Sequence, residues 1–148
     1  RDVRVGIGGM SRALVGNSVP IDLEIHRIEK GIYPDNPSTT RKFRRFAPLD
    51  GPGKIFFPPV LLGDVNGDGR SDLVVGQRPE EVHVFLGVSA PDLLARQPQK
   101  VAVALPNDER DTRLVDLNKD GKQDILIHHR STDRTPTETH RVTTLIAR

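Results

Sequence analysis

The strongest constraint on this chain is that it repeats itself. Displaced by 52 positions, residues 60–78 fall on residues 112–130. Leu62, Asp64, Asn66, Asp68, Gly69, Asp72 and Arg78 return as Leu114, Asp116, Asn118, Asp120, Gly121, Asp124 and Arg130. Asp64 to Asp116 and Asp72 to Asp124 span the same 52 residues, so nothing is inserted or lost between the first and last acids. A fixed period of this size marks an array of like units, each too small to bury its own apolar face and completed by a neighbour.

The flanks of the repeated segment read as β-structure. Leu73-Val74-Val75 and Ile125-Leu126-Ile127 follow the two acidic stretches, as short apolar runs suited to strands covered on both faces. Val82–Leu86 and Val142–Ile146 supply a second strand after each, and Val101–Leu105 leads into the second motif. Turn residues separate the pieces, as in Asp50-Gly51-Pro52-Gly53 and Pro106-Asn107-Asp108. Earlier in the chain, Ile21–Ile28 alternates apolar and polar residues as a half-buried strand does, and Val3–Ile7 reads as another. Residues 33–40 read as loop. Asp92–Gln97 is expected to form one helical turn, limited by Pro91 and Pro98.

The acidic stretches carry the chemistry. In Asp64-x-Asn66-x-Asp68-Gly69-Arg70-x-Asp72, oxygen side chains at alternate positions converge on one hard cation if the loop curls around it. Gly69 permits the bend. The Arg70 carbonyl then turns inward, and Asp72 closes the shell with both oxygens. Six or seven oxygen donors suit Ca²⁺ better than the small octahedral shell of Mg²⁺. Asp116, Asn118, Asp120, the Lys122 carbonyl and Asp124 repeat the scheme, giving an expectation of two Ca²⁺ ions per chain. Three carboxylates in each loop repel one another, and a divalent ion relieves that repulsion. The competing reading is a solvated acidic turn, since Asp, Asn and Gly favour turns on their own account. Duplication at equal spacing argues against it.

Several calcium motifs open in this way and differ in how they close. An EF-hand needs a bidentate Glu at loop position twelve, where this chain has Val75 and Ile127, and it needs flanking helices. A dockerin repeat also closes at position twelve and runs into a helix. Thrombospondin type 3 repeats interleave cysteines, and the chain has none. With the last acid at position nine and β-flanks, Gly63–Val75 and Val115–Ile127 resemble the FG-GAP/VCBS repeats of integrin-α-like β-propellers. The aromatic-Gly and Gly-Ala-Pro halves of the FG-GAP signature are missing, so the bacterial VCBS variety is the nearer likeness. The resemblance implies a structural calcium loop joining the first two strands of a propeller blade. It covers the two motifs closely and, through the period, roughly the last hundred residues.

The expected fold is therefore all-β: residues 51–100 and 101–148 as two calcium-binding blades, and residues 1–50 as a partial or divergent blade. At about 52 residues per blade the chain holds fewer than three, while propellers close with about four to eight. The remaining blades are expected in a longer chain or in other chains. The chain opens on Arg1 with no leader, which fits a fragment or processed product.

Composition narrows the function classes. Lys plus Arg is 22 against 20 for Asp plus Glu, so the net charge of +2 gives no field for nucleic-acid binding through bulk charge. No apolar run approaches the ~20 residues of a membrane-spanning helix. Without cysteine, disulfides, thiolate metal sites and Cys nucleophiles drop out. Gly6-x-Gly8-Gly9-x-Ser11 lacks the third Gly and the helix of a dinucleotide site. Arg41-Lys42-Phe43-Arg44-Arg45 reads as solvated charge on an edge strand. His128 and His129, adjacent on a strand, point to opposite faces. His26, His83 and His140 have no partner at a recognisable spacing. No Gly-x-Ser-x-Gly, His-Glu-x-x-His or P-loop occurs.

The expected function is that of an interaction or scaffold module, secreted, periplasmic or on the cell surface, with glycan or protein as ligand. The alternatives are the propeller portion of a secreted polysaccharide lyase or hydrolase and a lectin closed by oligomerisation. The absence of Trp and the single Tyr33 weigh against the lectin, whose sugar platforms are usually aromatic.

Overall fold

The computed structural model describes residues 2–6, 18–26, 28, 30–32, 34–46, 59–106, 109–129 and 140–148. The Gly8–Ser11 part of the glycine-rich stretch, Tyr33, the Asp50–Gly53 turn, Asn107, Asp108 and Arg130 lie outside them.

The described residues form three antiparallel sheets. β1 (Asp2–Gly6), β2 (Ser18–His26) and β3 (Thr39–Phe46) make the first, in that order. β4 (Val60–Gly63), β5 (Asp72–Arg78), β6 (Glu81–Phe85) and β7 (Gln99–Ala102) make the second, a simple meander. β8 (Thr112–Val115), β9 (Asp124–His129) and β10 (Arg141–Leu145) make the third. A 3₁₀ turn at Glu109–Asp111 leads into β8. The all-β expectation holds, and the described sheets stack rather than close a ring.

The repeat is visible in the strand register. Leu62 pairs with Leu73 and Gly63 with Asp72; 52 residues on, Leu114 pairs with Ile125 and Val115 with Asp124. In the following hairpins Leu73 pairs with Phe85 and Ile125 with Leu145. The second partner has moved by 60 residues rather than 52, because the β9–β10 connection is longer than the two-residue turn between Arg78 and Glu81.

The middle sheet is buried on both faces, which its continuous apolar run anticipates. Leu73 and Val75 of β5 face Leu23, Phe85 and Leu94, with Ile25 and Val60 packed at the margin. Val74, between them, faces the opposite way into a cluster with Val82, Val84, Leu105, Ile125 and Ile127. The first cluster joins the first sheet to the second, and the other joins the second to the third. Burial of each such side chain contributes about 1.5–3 kcal/mol relative to exposure.

Three segments depart from expectation. Asp92–Gln97 forms no helical turn. Leu94 makes an isolated bridge to Gly87, and the Ala95 N–H bonds to the Leu86 carbonyl at 2.7 Å, so the segment folds back along the end of β6. Gln99–Ala102 is the fourth strand of the middle sheet, paired to β6 rather than opening the next unit. Arg41 lies on an edge strand as expected, yet it is not a solvated charge. Its guanidinium donates to the Ala95 carbonyl at 3.0 Å and to the Leu94 carbonyl, fastening the first sheet to the second.

Candidate metal-binding loops

The two acidic loops occupy equivalent places, each spanning the hairpin from an edge strand to a central one: β4 to β5 and β8 to β9. Their internal wiring matches atom for atom at several positions. Asp64 Oδ2 accepts the Gly69 N–H at 2.7 Å and Oδ1 accepts those of Gly67 and Asp68 at 2.7 and 3.2 Å. Asp116 accepts the Gly121 and Asp120 N–H groups at 3.0 and 3.2 Å. Asn66 Oδ1 accepts the Asp68 N–H while its amide donates to Asp68 Oδ2, both at 3.0 Å. Asn118 and Asp120 repeat the exchange at 3.2 and 2.9 Å. Asp68 and Asp120 cap the next turn, accepting from the Arg70 and Lys122 N–H groups at 2.8 and 2.9 Å.

The backbone supports this curl. Gly67, Gly69 and Gly121 have φ of +77, +77 and +87°, and Lys119 takes the place of Gly67 in the second loop at φ +61°. The backbone N–H of Arg70, then the Asn66 amide, holds the Asp68 carboxyl below its ordinary range, with help from the Arg70 charge. For Asp120 the Lys122 N–H and the Asn118 amide do the same.

The ninth residue of each loop behaves differently from the other ligand candidates. Asp72 and Asp124 are fully buried. Asp72 accepts the Val65 N–H at 2.8 Å and the Gly87 N–H at 2.6 Å, one on each oxygen. Asp124 accepts those of Leu117 and Ala147, each at 2.9 Å. Each carboxylate thus ties its own loop to the chain just beyond the second strand of the next hairpin, β6 for Asp72 and β10 for Asp124. Gly87 and Ala147 carry no side-chain signal of this role, and the sequence reading missed them.

Each of the two loops thus carries three carboxylates, an amide and a backbone carbonyl as candidate oxygen donors. That donor set fits Ca²⁺ in kind. As the side chains stand, they are aimed at the loop's own N–H groups. No three acidic or histidine side chains among the described residues are already gathered as a metal site. Each carboxylate oxygen has two lone pairs, so Asp72 and Asp124 keep acceptor capacity beyond their N–H bonds.

Residues 64–127, from the first acid of one loop to the strand behind the other, match the family model of the FG-GAP-like repeat. This segment is an FG-GAP-like repeat. No curated protein gives a significant match, and no solved structure does. In the FG-GAP-like segment the two loops are neighbours. The Gln123 N–H donates to the Asp64 carbonyl at 2.8 Å, and the Lys122 side chain passes over Gly67.

The histidines form smaller groupings. His128 Nε2 lies 3.0 Å from His140 Nδ1, and the rings are near-parallel. Asp111, buried, stands 3.8 Å from the other nitrogen of His128. The β9–β10 register brings His128 and His140 together, which spacing alone does not disclose. His83 bonds Glu81 at 2.6 Å, and His26 Nδ1 lies 3.1 Å from the Pro34 carbonyl. A cleft of about 460 Å³ lies between the first and second sheets, lined by Ile25, His26, Arg70, Ser71, Leu93 and Leu94 among others.

Proposed function

We propose that the FG-GAP-like segment forms successive blades of a β-propeller that serves as an exported interaction module, with one structural Ca²⁺ in each acidic loop. The observation that carries this reading is the duplicated loop itself: the same oxygen donors and the same wiring, placed between equivalent strands of adjacent sheets. Face-to-face stacking of the sheets is the packing that blades require, and the remaining blades come from further sequence or further copies. Calcium acts on stability here rather than on catalysis. An ion present at about 100 times its Kd adds about 2.7 kcal/mol to folding. Extracellular calcium modules bind at ~10⁻⁴–10⁻³ M, an affinity sufficient outside cells.

The experiment is thermal unfolding with calcium and with chelator, on the parent chain and on Asp68→Ala and Asp120→Ala. The parent melts higher in calcium. Each variant loses part of that rise, and the double variant loses nearly all of it. Equal melting temperatures with and without calcium in the parent would leave the loops as acidic turns held by their own amides.

A further inference from the structure

The two loops are in direct contact, and each contact joins a ligand candidate of one loop to a residue that neighbours ligand candidates of the other. Gln123 sits between Lys122, whose carbonyl belongs to the second donor set, and Asp124, whose carboxylate closes it. Its N–H donates to the carbonyl of Asp64, the first donor of the other loop, at 2.8 Å. Two further contacts reinforce this bond. A methyl group on Gly63 would lie 1.7 Å from Gln123 Oε1 and 2.7 Å from Leu114 Cδ1, so the ends of the Gln123 and Leu114 side chains lie directly over Gly63. A methyl on Gly67 would lie 3.0 Å from Lys122 Cγ, so the Lys122 stem covers the turn of the first loop. The corresponding residue of the first loop, Arg70, instead turns back on its own Asp68 at 3.1 Å.

We infer that the two loops take up calcium as a positively coupled pair, through Gln123 and Lys122. The inference rests on the calcium reading of the loops. An ion in the second loop fixes the Lys122–Asp124 segment, which contains both the Lys122 carbonyl and the Asp124 carboxylate. That segment holds the Asp64 peptide by its carbonyl and Gly67 by the Lys122 stem. Part of the ordering required at the first loop is then already accomplished before its own ion arrives. Coupling of this kind is reciprocal: the factor by which one ion strengthens the other is the same in both directions. Couplings through packed structure typically amount to about 5–150-fold.

The test is calorimetric calcium titration of the whole chain, with calcium alone as the probe. In Asp120→Ala, which disables the second loop, the first loop is expected to bind at least about 5-fold more weakly than in the parent. In Asp68→Ala the second loop is expected to weaken by the same factor. Circular dichroism confirms that both variants keep the parent's β-structure; the substituted side chains are at the surface. Lys122→Ala keeps the backbone carbonyl and removes the stem over Gly67, and is expected to shrink the factor. In amide NMR spectra of Asp120→Ala, the Gln123 N–H is expected to shift as calcium fills the first loop. Two sites whose affinities do not change when the other is disabled would overturn the coupling and leave the calcium reading intact. A parent chain that binds no calcium would overturn both.

Discussion

Asp72 holds the backbone N–H of Gly87 at 2.6 Å, fifteen residues away and with no water-exposed surface on the carboxylate. Asp124 does the same for Ala147 at 2.9 Å. An acid at the close of an acidic loop is naturally read as a metal ligand. In this fold it is the clasp between a loop and the far end of the neighbouring hairpin. The two roles make different demands, and they separate experimentally.

Asp72→Ala and Asp124→Ala each strand two N–H groups: Val65 and Gly87 in one case, Leu117 and Ala147 in the other. Hydrogen bonds to a charged acceptor contribute about 1.5–3 kcal/mol each, so either substitution should cost about 3–6 kcal/mol. The loss should persist in excess chelator, because it belongs to the clasp. Denaturant unfolding in chelator measures it. A cost that vanished without calcium would make these residues ion ligands alone.

Much of this architecture was legible in the sequence because the repeat and the strand pattern carry it. Val74, between Leu73 and Val75, is buried on the opposite face of the same strand, which is what an unbroken apolar run implies when both faces are covered. The loop residues were legible because the same spacing of acids, amide and glycine recurs 52 residues on. Contacts made by backbone amides were not: Gly87, Ala147 and Gln123 act through N–H groups that every residue but proline possesses. Arg41 was misread because a charge at a sheet edge looks solvated until the next sheet's carbonyls are known to lie within its reach. Asp92–Gln97 was misread because its composition suits a turn of helix, while the Gly87–Leu94 bridge and the Leu86 carbonyl offered its amides other partners.

Handedness of the loop backbone gives a test that leaves every ligand in place. Gly121 has φ +87° and Gly69 +77°, and an added Cβ would meet nothing within 4 Å at either. Alanine there is opposed by its own backbone and not by neighbours, at a cost of roughly 1–2 kcal/mol. Lys119 already bears such a conformation at φ +61°. Lys119→Gly relieves it, offset in part by the greater freedom glycine gives the unfolded chain. Denaturant midpoints should therefore fall for Gly69→Ala and Gly121→Ala, and stay level or rise slightly for Lys119→Gly. Alanine variants as stable as the parent would show that these turns relax out of the left-handed region.

His129 sets the expected response to mild acid. It ends β9, and its Nε2 is buried with no hydrogen-bond partner among the described residues. Burial first, then the charges of Arg141 and His128, push its pKa below the ordinary value of 6.5, while Asp111 pulls the other way. The folded chain therefore takes up this proton less readily than the unfolded chain. The stability linked to His129 is complete above about pH 6.5 and declines as pH falls toward the lowered folded value. His129→Gln removes the titrating group and keeps a side chain of similar reach. Between pH 7 and 5.5 the parent should lose more stability than this variant, with the curves closest at the alkaline end. Comparing the two cancels the contributions of the other histidines. The window also lies above the range in which ordinary carboxylates take up protons. Parallel curves across it would show that His129 titrates alike in the folded and unfolded chains.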